Sequence, residues 1–228
     1  MPYPTFSRRQ SGFTLIEIAI VLVIIGLLLG GILKGQELIN SARVKNLGTD
    51  FRNIPVFIYG YQDKFRTLPG DDPRADTNVN GKIATVGTQG NGVIEGAWNS
   101  ETDTHESYLF WQHVRLAGLA PGVTAPGADG YLPTNASGGT IGIQSGTTVV
   151  ADTPVKDKDG VAIGGAYVIC STSILGKFVK QLDIQMDDGE TDSGSMMATP
   201  TTGYAIGAAA TTRDSINDAT TYTVCMGV

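Results

Sequence analysis

The sequence predicts an α+β protein: one long N-terminal helix packed on a mainly antiparallel β-sheet head. Three observations point there. A nearly uninterrupted apolar block close to the N-terminus runs on into an amphipathic stripe of helical period. The rest of the chain is rich in Gly, Thr, Ala and Asp, a composition of short strands and turns. The only two cysteines, Cys170 and Cys225, sit in segments of alternating character in the second half of the chain.

Residues 1–12 are polar, with Arg8 and Arg9 as their only charges. Phe13-Thr14-Leu15-Ile16-Glu17 follows, and then a run of apolar residues and glycines from Ile18 to Leu33. As a helix, Phe13 to Leu33 would span about 31 Å, the thickness of a bilayer's hydrocarbon core. The two arginines place the N-terminus on the cytoplasmic side, so the body of the protein faces outward. A secretory signal peptide fits less well, because no small-residue cleavage site of the A-x-A kind follows the apolar run. A plain signal anchor fits the length but leaves Glu17 without a reason. A carboxylate inside a spanning helix costs about 2.5–3.5 kcal/mol, so it is expected to have a partner and a task.

Gly12-Phe13-Thr14-Leu15-Ile16-Glu17, followed at once by an apolar helix, resembles the processing signal of type IV prepilins and of type II secretion pseudopilins. The resemblance implies cleavage by prepilin peptidase between Gly12 and Phe13, on the cytoplasmic side, and N-methylation of Phe13 by the same enzyme. It implies that Glu17, at the fifth mature position, pairs with a terminal amine as a new subunit docks. An opposite charge is what makes a carboxylate tolerable in a low-dielectric setting. It further implies an inner-membrane assembly platform, membrane lipid around the helix before assembly, and filament subunits of the same or a related kind as partners. The localisation implied is a single-pass inner-membrane protein that passes into an extracellular or periplasmic filament.

Beyond the membrane segment, assigned to 13–34, the helix is expected to continue to about residue 68. Leu47, Phe51, Ile54, Ile58, Tyr61, Phe65 and Leu68 recur at alternating spacings of four and three, one stripe for a head to pack on. Leu68-Pro69-Gly70 should end it. From Phe13 to about Arg66 such a helix reaches roughly 80 Å. Family members often carry a proline where this chain has Lys34. Here Gly26/Gly30 and Gly31/Gly35 form small-xxx-small pairs that allow close helix approach, and Pro55 is expected to kink the helix.

The head is assigned to 69–228. Asp76-x-Asn78-x-Asn80-Gly81 has the opening spacing of an EF-hand loop, but Gly87 stands where a bidentate Glu is required, so a true EF-hand is rejected. Asp76, Asn78 and Asn80 are kept as candidate ligands for calcium, against the plainer reading that Asp, Asn and Gly make turns. Asp187 to Asp192 raises the same question. Asp103 and Glu106 have capping-box-like spacing before a helix expected over 104–116, with Gly118 as its stop. Strands are expected over 165–171 and 221–226, and a helix over 174–186. His105 and His113 read as surface or core residues.

If the apolar block exports the chain, Cys170 and Cys225 reach an oxidising compartment, where one pair has one connectivity. A bridge would close a loop of roughly 56 residues, worth about 4 kcal/mol in the chain-entropy model. Two buried free thiols are the alternative. A bridged 170–225 region is similar to the disulfide-bounded C-terminal region of type IV pilins.

Composition and motifs argue against two classes of function. A net charge of −6 over 228 residues argues against a broad nucleic-acid footprint. No nucleophile elbow, Cys–His pairing or phosphate-binding glycine loop stands in the head, so an enzyme is not expected. The expected function is a structural subunit of a type IV pilus or pilus-like filament. The alternatives are a type II secretion pseudopilin, or a minor tip pilin whose head binds a surface or DNA.

Overall fold

The structure, a computed structural model, describes Gly12 and residues 14–228. It divides into two units, Met1–Ser41 and Ala42–Val228. Helix α1, Leu15–Phe65, contributes to both.

Within the first unit the large apolar side chains of α1, from Leu15 to Ile39, are all exposed. The segment is long and apolar enough to cross a membrane. The Lys34–Glu37 ion pair (2.7 Å) just past the apolar run is fully in solvent and adds little.

The second unit is built on a four-stranded sheet of order β1-β3-β6-β4, antiparallel throughout: β1 Ile141–Ser145, β3 Tyr167–Leu175, β4 Met196–Pro200 and β6 Thr221–Gly227. A short parallel pair, β2 (Val155–Lys156) with β5 (Ala208–Ala209), stands apart. Alternation along the strands sorts the side chains onto two faces. One face, with Ile141, Ile143, Ile169, Ala198 and Val224, shares a core with Val44, Leu47, Phe51, Ile54 and Ile58 of α1. Phe178, Val179 and Leu182 of helix α4 (Gly176–Met186) close the same core. The other face carries Val168, Cys170, Met197 and Cys225, under Trp98, Val155 and Ile163. The fold is α+β, a long helix on a mainly antiparallel sheet.

The stripe on α1 is buried from Leu47 to Tyr61, with Val44 and Gly48 added to it, while Phe65 at its end is only half-buried. The helix runs through Pro55 and stops at Phe65, short of Leu68, because Arg66 adopts a left-handed conformation at φ 61. Leu68 is buried all the same, in the loop beyond. That loop is held from inside. Asp72 accepts hydrogen bonds from the Tyr61 hydroxyl, the Asn78 side-chain amide and the Arg74 backbone, each at 2.8 Å. Asp71 accepts from the amides of Gly90, Asn91 and Gly92 and ties down a second loop. His113, fully buried, accepts from the Gly70 amide at Nδ1 (2.9 Å) and faces the Lys82 carbonyl through Nε2 (2.8 Å). Burial pushes its pKa down and keeps the ring neutral.

Two expected element starts are corrected. Helix α3 is Glu106–Leu116, with His105 at its N-cap and no side-chain cap. Asp103 is instead drawn to Lys82 (2.6 Å), and Glu106 turns inward to accept the Glu95 amide (2.8 Å). Ile174 and Leu175 belong to β3, paired with Tyr222 and Thr221, so α4 begins only at Gly176. Ile174 is apolar at a spacing that suits either element, and pairing with β6 decides it.

Candidate functional site

The described part of the N-terminal segment begins at Gly12 and resumes at Thr14. The expected scissile bond between Gly12 and Phe13, the methylation site at Phe13, and the arginines Arg8 and Arg9 involve residues outside the described ones.

Thr14 precedes the first helical residue, Leu15, and Glu17 follows three positions later. The Thr14 hydroxyl accepts the Glu17 amide (3.3 Å), while Glu17 Oε2 accepts both the Thr14 amide and the Thr14 hydroxyl (2.8 Å each). This is a capping box, two otherwise orphaned backbone donors satisfied reciprocally. Its Thr-x-x-Glu signature is present in the sequence, where the charge of Glu17 in an apolar segment is the more conspicuous feature. The carboxylate also sits at the positive end of the α1 dipole. Glu17 therefore has partners inside its own chain before any partner chain is considered. Glu17 Oε2 carries both bonds from Thr14, which leaves Oε1 for a further donor.

The remaining candidates lie in the head. Asp76 and Asn78 fall in a one-turn helix, α2 (Ala75–Val79), and Asn80 caps its C-terminus in the left-handed region at φ 55. The Asp76 Oδ1 atom accepts the Thr77 amide (2.7 Å) and the Asn78 side chain donates to Asp72. The three expected ligands are thus spread around a helical turn, each serving the local backbone or the Asp72 network. Among the described residues no group of three or more His, Cys, Asp or Glu is arranged to hold a metal ion. In the second acidic block, Asp187 accepts the amides of Ser195 and Met196, at 2.7 and 2.8 Å, and Asp183 of α4 accepts the amide of Gly189 in that block at 2.8 Å.

Cys170 and Cys225 are disulfide-bonded and fully buried. They are direct partners in the β3–β6 register, so the covalent link crosses between adjacent central strands. The sequence reading did not foresee β4, which lies inside the disulfide loop and pairs with β6 on its other side.

Residues 7–33 match the family described as the prokaryotic N-terminal methylation motif. Comparisons with curated proteins and with solved structures gave no match. The matched span covers the end of the polar leader from Ser7, the Gly12–Phe13 junction, Glu17 and the exposed apolar run as far as Leu33. The chain carries a prepilin signal of the type IV pilin and pseudopilin kind.

Proposed function

We propose that the protein is a structural subunit of a type IV pilus or pilus-like filament, matured by removal of residues 1–12 and assembled through α1. The observation that carries this reading is the methylation motif over residues 7–33, laid on a helix whose apolar side chains are exposed from Leu15 to Ile39. An exposed apolar surface of this length needs lipid or other helices around it. A membrane supplies the first environment and a bundle of subunit helices the second.

Within this reading Glu17 acts twice. Its capping of α1 fixes where the helix begins, and its charge recruits the methylated amine of Phe13 on a neighbouring subunit. A cation brought against this carboxylate gains from the apolar surroundings, where attraction is weakly screened. The disulfide-bounded region 170–225 supports a pilus over a secretion pseudopilus, since it is the layout similar to type IV pilins. A major subunit would dominate purified filaments and a minor one would appear in traces.

The test is Glu17→Ala in cells that assemble the filament. The variant chain should accumulate in the membrane with its disulfide intact and be missing from sheared filaments. Normal incorporation of the variant would contradict the reading.

A further inference from the structure

On the disulfide-bearing face of the sheet a row of threonines crosses all four strands. Thr140, just before β1, bonds through its amide to the Thr172 hydroxyl of β3 (2.9 Å), and Thr201, just after β4, meets Thr223 of β6 hydroxyl to hydroxyl (3.3 Å). Neighbouring strands set such groups about 4.8 Å apart. The row is partly made by a register shift in β3 between Ser171 and Ile174, where Ser173 takes a positive φ of 60, uncommon for a residue other than glycine.

These threonines floor a cavity of about 210 Å³. One wall is aromatic. The Tyr204 hydroxyl accepts from Trp98 Nε1 (2.7 Å) and donates to the Pro154 carbonyl (2.9 Å), and the two rings meet edge to face at 5.6 Å. Both polar groups of the pair are consumed in fixing that wall, so what Tyr204 offers a ligand is its ring. The rim is the opposite. The exposed side chains of Asn99 and Glu101 make no hydrogen bond among the described residues, and the Thr172 hydroxyl keeps its proton free to donate.

We propose that this cavity binds the terminal ring of a neutral carbohydrate, with the Tyr204 ring against the sugar's C–H face and Asn99, Glu101 and Thr172 bonding its hydroxyls. A pyranose is amphipathic in the way this site is divided: one face of C–H bonds, and a rim of hydroxyls that each donate and accept. Asn99 supplies two donors and an acceptor, Glu101 acceptors only, Thr172 a donor. The volume is below the roughly 300–1,000 Å³ of sites for drug-sized ligands, which suits one ring at the end of a chain. Glu101 is the sole ionisable acid lining the cavity, and neither Lys nor Arg lines it, so sialic acids, uronic acids and phosphates are disfavoured. An extended peptide would look for an open strand edge, whereas this row runs across the strands. The inference goes beyond filament assembly and is tested on the chain by itself.

The experiment uses the full-length chain in a sugar-free zwitterionic detergent, because a maltoside would compete. The chain is applied to an array of glycans ending in glucose, galactose, mannose or N-acetylglucosamine, beside sialylated and uronic-acid-terminated ones. Dense display compensates for the weak binding of a single ring. Separate arms carry the same neutral ends on bacterial envelope polysaccharides and on animal glycans, which identifies the source. Neutral ends should be retained and acidic ones not. Asn99→Ala, with an unchanged Tm, and Thr172→Val, which also orphans the Thr140 amide and should lower the Tm, should each weaken retention at least about tenfold. Because Asn99 is exposed, its variant tests the site without threatening the fold. Absence of binding to every neutral end, binding indifferent to both variants, or equal retention of acidic ends would overturn the proposal.

Discussion

One oxygen of Glu17, Oε2, receives both the amide and the hydroxyl of Thr14, each at 2.8 Å. The helix start and the proposed assembly charge are therefore the same carboxylate, and its two duties can be separated by chemistry. Gln retains the acceptor geometry of a capping box and loses the charge. Glu17→Gln should keep the membrane helix and the protein level while filament incorporation falls sharply. Equal incorporation of the Gln variant and the parent, measured in sheared fractions, would leave Glu17 a cap and nothing more.

The disulfide joins direct register partners on the two central strands, β3 and β6. Its loss releases a long loop in the unfolded chain, worth about 4 kcal/mol in the chain-entropy model. Cys170→Ala with Cys225→Ala should lower the denaturation midpoint of the head by a comparable free energy. Both sulfurs are buried, so a mild thiol reductant should leave the native bridge intact and cleave it once the head is unfolded. Chemical denaturation with and without reductant reads both.

Gly70 and His113 lock the loop after α1 to α3 through the 2.9 Å bond from the Gly70 amide to Nδ1. Gly70 stands at φ 91, and a Cβ there would lie 2.4 Å from the Glu106 carbonyl oxygen. Gly70→Ala combines a forbidden backbone region with a backbone clash and should cost more than about 2 kcal/mol. His113→Ala leaves the Gly70 amide buried and unpaired, at a cost of about 1–3 kcal/mol for the orphaned donor before any cavity is counted. In NMR spectra the His113 ring should remain neutral, with its proton on Nε2, at pH values where an exposed histidine is charged, since burial lowers its pKa.

Glu106 is fully buried with Oε1 unpartnered, and burial, with Asp71 and Glu95 nearby, raises its pKa to about 7. Asp183 repeats the pattern at the end of α4, again raised to about 7, first by burial and then by Asp187 and Asp188. In the folded state both acids hold a proton that the unfolded chain releases near its ordinary carboxylate pKa. Their contribution to stability is therefore complete below about pH 4 and is lost as pH rises through about 7. Thermal melts should show the head losing stability between about pH 4 and pH 7 on their account. Glu106→Gln should flatten part of that slope, with its gain relative to the parent largest at the alkaline end.

The parts of the fold that the sequence displayed are those with one periodicity and one environment. The stripe from Leu47 to Tyr61 is buried as its spacing requires, and the cysteines lie on paired strands. The head was harder to read for physical reasons. Strand β4, Met196–Pro200, is covered on both faces and so shows no alternation, and β2 and β5 are two residues each, too short for one. Glu106 looked like half of a capping box, yet tertiary demand from the Glu95 amide turned it inward. Asp71 and Asp72 belong to no periodic pattern, yet they are the buried acceptors on which two loops hang. In the candidate site Glu17 stood out at once as a charge in an apolar run. The threonine row could not be seen in advance, because Thr140, Thr172, Thr201 and Thr223 become neighbours only through the strand order.

Intact mass spectrometry of the chain purified from assembled filaments tests the central claim most directly. The mature protein should begin at Phe13 and be heavier than that sequence by one methyl group, placed on the terminal amine. A mature chain that retains residues 1–12, or one cut beyond Leu33 and released without its apolar helix, would contradict it.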